Sequence, residues 1–132
     1  MIHILLAGRD HASLSVFKTA LEESDTQITC PVSGREALFA VSEKVFDLLI
    51  TDENLNDMTG LELIESVITR QPMLNCATVS SLSPDDFHEA SEGLGILMQL
   101  PVEPGKKEAH QLLEHLNKIQ SFSKDSISRE KL

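Results

Sequence analysis

Five short apolar runs, each followed by a segment with helical spacing, constrain the fold of this chain most. The runs are rich in Ile, Leu and Val and are too short for helices, which is typical of buried strands. Between them, apolar residues recur three or four positions apart, as around Phe17, Leu38, Ile64 and Leu112, with a weaker segment at 85–91. Strands that alternate with crossover helices predict an α/β fold, a doubly wound parallel sheet of five strands. The runs lie at residues 2–7, 27–30, 46–51, 74–79 and 96–99.

Start signals for helices support this division. Ser33 and Thr59 are each followed by a glutamate three positions later, which predicts a capping box at the start of two helices. Ser83 precedes Pro84, a pair that predicts an N-cap and the first helical residue. Asp10 is expected to cap the first helix.

Length and charge narrow the class of protein. We expect one domain at residues 1–120 and a tail or linker at 121–132, where the apolar period is lost. The formal net charge of −10 disfavours direct binding of nucleic acid and of anionic membranes. No apolar run is long enough to span a bilayer and the first residues do not form a signal peptide, so we expect a cytoplasmic protein.

One stretch, "FDLLITDENLNDMTG" at 46–60, ends the central apolar run with an acid and a polar loop. In a parallel sheet the carboxyl ends of the strands share one edge, and ligands bind there where the strand order reverses. We therefore expect the residues that follow the strands to form one site. They are residues 8–10, 52–54, 80–81 and 100–101.

Three stretches resemble the receiver domains of two-component response regulators: "LLITDENLNDMTGLELI", "ATVSS" and "EGLGILMQLPVEP". The resemblance covers about residues 2–118 and implies a flavodoxin-like (βα)5 three-layer sandwich. It implies Asp52 as phosphoacceptor, Ser80 as the hydroxyl that follows the phosphoryl group, and Asn54 as a residue whose backbone carbonyl faces a divalent ion. It also implies a histidine kinase or another signalling protein as partner, and no enzymatic activity or catalytic residue of its own.

The first strand departs from that family's pattern at its end. Members of the family end this strand with two acids that hold Mg²⁺, but Gly8 and Arg9 fill those positions here, and Asp10 follows one position later. The remaining metal ligands would be Asp52, Asp10 and the carbonyl of Asn54. Because Mg²⁺ demands near-octahedral oxygen coordination, we expect Mg²⁺ as a cofactor that binds weakly.

Two further departures lie in the last strand. Leu100 replaces the lysine of the family and Leu97 replaces the aromatic residue, so the hydroxyl of Ser80 is the only one of these groups that remains. Without the ammonium group, a phosphoryl oxygen loses a charge-assisted partner. Phosphorylation at Asp52 is therefore expected to be weak or lost.

Arg9 and its neighbours allow more than one interpretation. We hypothesise that the guanidinium of Arg9 pairs with Asp52 and substitutes for the metal ion, and the alternative is that Arg9 extends into solvent. Asp10 could serve as a helix cap rather than as a metal ligand. Asp52 itself could be only a turn residue, although the surrounding motif favours the phosphoacceptor.

Three functions remain open from the sequence. The first is a receiver in a phosphorelay, with the face of helix four, strand five and helix five for readout and for a homodimer. The second is a receiver-like module that binds a protein partner without phosphorylation. The third is a flavin- or nucleotide-binding module on the same fold, but "AGRDHASL" after the first strand lacks the glycine pattern of a phosphate loop.

Overall fold

The computed structural model describes residues 1–9 and 12–130, with side chains up to residue 120. Strands and helices alternate along the whole chain, as the sequence predicts. The elements are β1 (Ile2–Ala7), α1 (Ser15–Glu22), β2 (Thr26–Thr29), α2 (Gly34–Glu43), β3 (Leu48–Thr51), α3 (Gly60–Arg70), β4 (Asn75–Val79), α4 (Pro84–Ala90), β5 (Met98–Leu100) and α5 (Lys106–Glu130).

The strands form one sheet in the order β2-β1-β3-β4-β5, and every neighbouring pair is parallel. This confirms the predicted doubly wound fold. The chain extends the sheet from β1 to β2 and then crosses to β3 on the other side of β1. The strand order therefore reverses between β1 and β3, where Ala7 pairs with Thr51. Ligands bind at such a reversal in open parallel sheets.

Each face of the sheet carries its own apolar core, because successive side chains of a strand point to opposite faces. Leu6 and Ile50 belong to the cluster that contains residues of α1 and α5. Leu5 and Leu49 belong to the cluster that contains residues of α2 and α3. All four residues of β3 are buried, which explains why its sequence is an uninterrupted apolar run rather than an alternating one.

The helix starts agree with the sequence signals in part. Thr59 forms the predicted capping box with Glu62, and Ser83 accepts a hydrogen bond from the N–H group of Asp86. Ser33 also caps its helix, but the carboxylate of Glu36 accepts the N–H of residue 32 instead of the N–H of Ser33. Of the two hydrogen bonds of the predicted capping box at this helix, the one accepted by the Ser33 side chain is confirmed and the one accepted by the Glu36 carboxylate was wrong.

The ends of the fold differ more from expectation. Helix α1 begins at Ser15 with Leu14 at the N-cap and no side-chain cap, and the predicted cap, Asp10, lies outside the described residues. Helix α5 continues to Glu130, past the domain boundary predicted at residue 120, and the division at that point stays a prediction. Within the described part of the chain, no helix combines the length and apolar character that crossing a bilayer needs.

Candidate functional site

The ends of four strands meet at one edge of the sheet. The last residue of β1 pairs with the last residue of β3, which in turn pairs with Thr78 near the end of β4. Val79 pairs with Leu100 at the end of β5. The residues that follow these pairs therefore surround one place on the surface, and the site lies at the reversal of strand order.

Asp52 lies at the centre of this edge and is partly buried. Its N–H donates to the carbonyl of Ala7 at 2.9 Å, which continues the pairing of β3 with β1 by one residue. Its Oδ1 accepts the N–H of Glu53 at 2.8 Å, and Oδ2 has no hydrogen-bond partner among the described residues. One oxygen is thus fixed, and the other is available as a nucleophile.

Helix α3 begins directly against this residue. Gly60 donates its N–H to the carbonyl of Glu53 at 2.9 Å. A Cβ at position 60 would lie 2.9 Å from Cγ2 of Thr51 and from Oγ1 of Thr78, and closer still to the carbonyl oxygen of Asp52. Only glycine lets the helix approach so closely, so this residue helps to set the position of Asp52.

Asp57 anchors the far end of the β3–α3 loop to another helix. Its carboxylate accepts the N–H groups of Gly34 at 2.8 Å and of Arg35 at 2.9 Å, the first two residues of α2. These two hydrogen bonds hold the pKa of the Asp57 carboxyl below its ordinary value of 3.8. The positive end of the helix dipole favours a carboxylate at this position.

The oxygen atoms expected to bind a metal ion lie in the same loop. The bridge between Asn54 and Thr59 is formed by hydrogen bonds of the flanking residues, so the carbonyl of Asn54 accepts no hydrogen bond from a described residue. Asp10 lies outside the described residues. In the described ranges, no three His, Cys, Asp or Glu side chains form a group that could hold a metal ion.

These two donors alone do not complete the coordination of Mg²⁺. Oδ2 of Asp52 and the carbonyl of Asn54 are two oxygens of one loop, whereas the ion prefers octahedral coordination and usually retains several waters.

Arg9 and Leu100 are the residues that the resemblance places where an acid and a lysine are expected. Arg9 is exposed, and none of the ion pairs between described residues joins it to Asp52, so the hypothesised counterion pair is not formed. Leu100 is fully buried in the core beneath the site, and its carbonyl accepts the N–H of Ser80 at 3.0 Å. Neither Arg9 nor Leu100 therefore provides a cationic partner for the carboxylate of Asp52.

The β4–α4 loop forms the opposite wall. Ser80 is 8% exposed, and its Oγ accepts the N–H of Leu82 at 3.2 Å. Glu53 reaches across from the other loop, where its carboxylate accepts the N–H of Ser81 at 2.5 Å and the hydroxyl at 2.9 Å. Gln99 donates to the carbonyl of Leu82 at 2.8 Å. A groove of about 320 Å³ lies between the two loops. Sequence reasoning did not assign roles to Glu53 and Gln99.

Comparison with known proteins agrees with this geometry. Residues 4–101 match the family described as response regulator receiver domain. The chain is 26% identical over 85 residues to the transcriptional regulatory protein ZraR of Klebsiella oxytoca. That match covers 64% of this chain and 19% of the relative, so the chain spans about a fifth of that protein.

Solved structures share the fold. The chemotaxis response regulator CheY4 of Vibrio cholerae has a TM-score of 0.78 and 18% identity, over 88% of this chain and 98% of its own. A CheY-like receiver domain protein of Methanospirillum hungatei has a TM-score of 0.80 and 21% identity, over 92% of this chain and 98% of its own. Because the family match spans well over half of the sequence and the sheet has the corresponding topology, this chain belongs to the response regulator receiver domain family.

Proposed function

We propose that this chain is a receiver module of a two-component phosphorelay in which Asp52 accepts a phosphoryl group slowly. The carboxylate of Asp52, at the reversal of strand order, carries the proposal. Its Oδ1 is held by the N–H of Glu53, while Oδ2 makes no hydrogen bond to a described residue. A carboxyl group that is held through one oxygen, with its other oxygen free of hydrogen bonds to described residues, is suited to nucleophilic attack at this edge of the sheet.

The reaction would join Oδ2 of Asp52 to the phosphorus of a donor. With a phosphohistidine donor, the new P–O bond forms as the P–N bond breaks, and the imidazole nitrogen leaves with the bonding electron pair. The product is an acyl phosphate. The hydroxyl of Ser80 accepts a hydrogen bond from Leu82, so its own proton remains available to a phosphoryl oxygen.

The surroundings of Asp52 support slow transfer. Phosphoryl transfer depends on cationic groups that neutralise the charge of the transferring group. Leu100 is buried and apolar where a lysine would lie, and Arg9 is exposed and does not pair with the acid. We propose that Mg²⁺ binds weakly here, through Asp52, the carbonyl of Asn54 and, by sequence position, Asp10.

Partners follow from the family. Receiver domains interact with histidine kinases and other signalling proteins, and we propose such a kinase as phosphodonor in the cytoplasm. A homodimer through α4, β5 and α5 is also proposed. A receiver-like module that binds its partner without phosphorylation is the second candidate, because the lysine position is closed by the core residue Leu100.

Intact-mass spectrometry after incubation with acetyl phosphate and Mg²⁺ tests the proposal. We expect a slow gain of about 80 Da in the wild type and no gain in D52N. R9D restores an acid at an exposed position, and R9D/L100K restores the lysine as well; we expect labelling at least about tenfold faster in R9D/L100K.

Each outcome has a distinct meaning. Labelling that persists in D52N excludes Asp52 as the acceptor. No labelling in the wild type favours the module that acts without phosphorylation, and labelling as fast as in R9D/L100K contradicts a slow site. Because Leu100 is buried, circular dichroism must show that the double variant folds, and R9D alone provides a comparison that leaves the core intact.

A further inference from the structure

One side chain connects the two loops that surround the proposed phosphoacceptor. The carboxylate of Glu53 accepts the N–H of Ser81 at 2.5 Å and its Oγ–H at 2.9 and 3.0 Å. The two residues are 28 positions apart, so this contact joins the β3–α3 loop to the β4–α4 loop. We refer to it as the Glu53–Ser81 latch.

Both ends of the latch lie next to the proposed chemistry. The N–H of Glu53 holds Oδ1 of Asp52 at 2.8 Å while its carboxylate holds Ser81. Ser81 directly follows Ser80, whose hydroxyl we assign to the phosphoryl group. A change of charge at Asp52 therefore acts on a residue that is already bonded to the opposite loop.

We infer that Glu53 is a positioning residue that keeps the β4–α4 loop closed in the unmodified protein and releases it when Asp52 is phosphorylated. The inference rests on the proposed function. Phosphorylation replaces the single negative charge of the Asp52 carboxylate by the roughly 1.5 to 2 negative charges of a phosphoryl group, and this net gain in negative charge repels the carboxylate of Glu53. Its oxygens also compete for the N–H and hydroxyl donors of Ser81, since each donor hydrogen forms one strong bond.

The element beyond the latch is suited to move. Helix α4 has seven residues, and Phe87 is its one buried residue. Leu82, between the latch and the helix, is 41% exposed and is tied by its carbonyl to Gln99. With few buried groups, such a segment opens at little cost in free energy. Release of Ser81 would therefore change the position of α4 rather than that of the sheet.

Reciprocity gives the inference a second consequence. If phosphorylation of Asp52 weakens the latch by some factor, then loss of the latch must shift the equilibrium of Asp52 toward the phosphorylated form by the same factor. The variant E53Q keeps a hydrogen-bond acceptor but removes the charge, and E53A removes both. E65Q is the matched control, because Glu65 is an exposed residue of α3 and none of the hydrogen bonds between described residues joins its side chain to Ser81.

Amide hydrogen exchange of Ser81, measured by NMR, tests the latch without any phosphodonor. We expect exchange about tenfold faster in E53A than in the wild type, and an unchanged rate in E65Q. D52N lowers the repulsion on Glu53 and should slow the exchange about twofold. Equal rates in E53A and the wild type, or an unchanged rate in D52N, would overturn the inference.

The same measurement after treatment with acetyl phosphate tests the coupling. Protein that intact mass shows to be labelled should exchange Ser81 as fast as E53A does, and slow exchange in labelled protein would overturn the coupling. If no variant becomes labelled, the proposed function fails while the E53A and D52N rates still decide whether the latch exists and responds to charge.

Discussion

Substitution of Gly60 by alanine should destabilise the protein, because the start of α3 lies against fixed atoms. The new Cβ would lie 2.9 Å from Cγ2 of Thr51 and from Oγ1 of Thr78, both buried, and closer still to the carbonyl oxygen of Asp52. Such distances are at least about 0.6 Å inside the optimal separation of nonbonded atoms. We assign about 3 kcal/mol to this overpacking, offset by up to about 1 kcal/mol of helix propensity.

The expected net loss in the free energy of unfolding is therefore about 2 kcal/mol. Urea unfolding followed by circular dichroism should show a midpoint lower by about 1 M, given a slope of about 2 kcal/mol/M. G34A is the matched control, because the three atoms nearest to a Cβ there all belong to the flexible side chain of Met58, and we expect a loss below about 1 kcal/mol. Equal midpoints for G60A and the wild type would refute the reasoning.

Three further predictions concern single side chains. Because the pKa of Asp57 is lowered in the folded protein, its contribution to stability is complete at neutral pH and is lost as the pH falls below 3.8. The difference in urea midpoint between wild type and D57N should therefore shrink in acid. A difference that grows in acid would contradict this. T59A should lose about 1 kcal/mol in urea unfolding, and no loss would exclude a stabilising capping box. Burial raises the pKa of Cys76 to about 12, so in the native protein at pH 8 a thiol reagent should modify Cys76 more slowly than half-buried Cys30, as peptide mass mapping would show.

The fold and the position of Asp52 could be predicted because they follow from local patterns. Alternating periods identify strands and helices, and the acid that ends the central apolar run must lie at the carboxyl edge of a parallel sheet. The convergence of the strand ends then follows from topology alone. The observed register, with Ala7 beside Thr51, brings the expected residues to one edge.

The contacts between loops could not be predicted in the same way. Glu53 bonds Ser81 across 28 positions, and Asp57 bonds Gly34 across 23. Both depend on the course of two loops, and neither acid differs in its local sequence from an ordinary turn residue. The exposed position of Arg9 could not be predicted either, because the sequence is compatible both with a pair between Arg9 and Asp52 and with a solvated Arg9 side chain.

The C-terminal end of α5 shows what the apolar pattern cannot predict. The apolar period is lost after residue 120, and the sequence therefore predicts a tail or linker there. That division stays a prediction, but the helix itself continues to Glu130. Once a helix is nucleated and packed, each further residue adds a backbone hydrogen bond at little cost. A pattern of burial thus predicts where a helix packs better than where it ends.

The central claim is that Asp52 lies in a receiver site that lacks its usual cationic partners. Titration of ¹⁵N-labelled protein with beryllium fluoride and Mg²⁺, followed through the amide signals of Asp52 and Ser80, tests it most directly. We predict that these signals shift weakly in the wild type and saturate at a concentration at least about tenfold lower in R9D/L100K. Saturation of the wild type at the same concentration as the double variant would contradict the account.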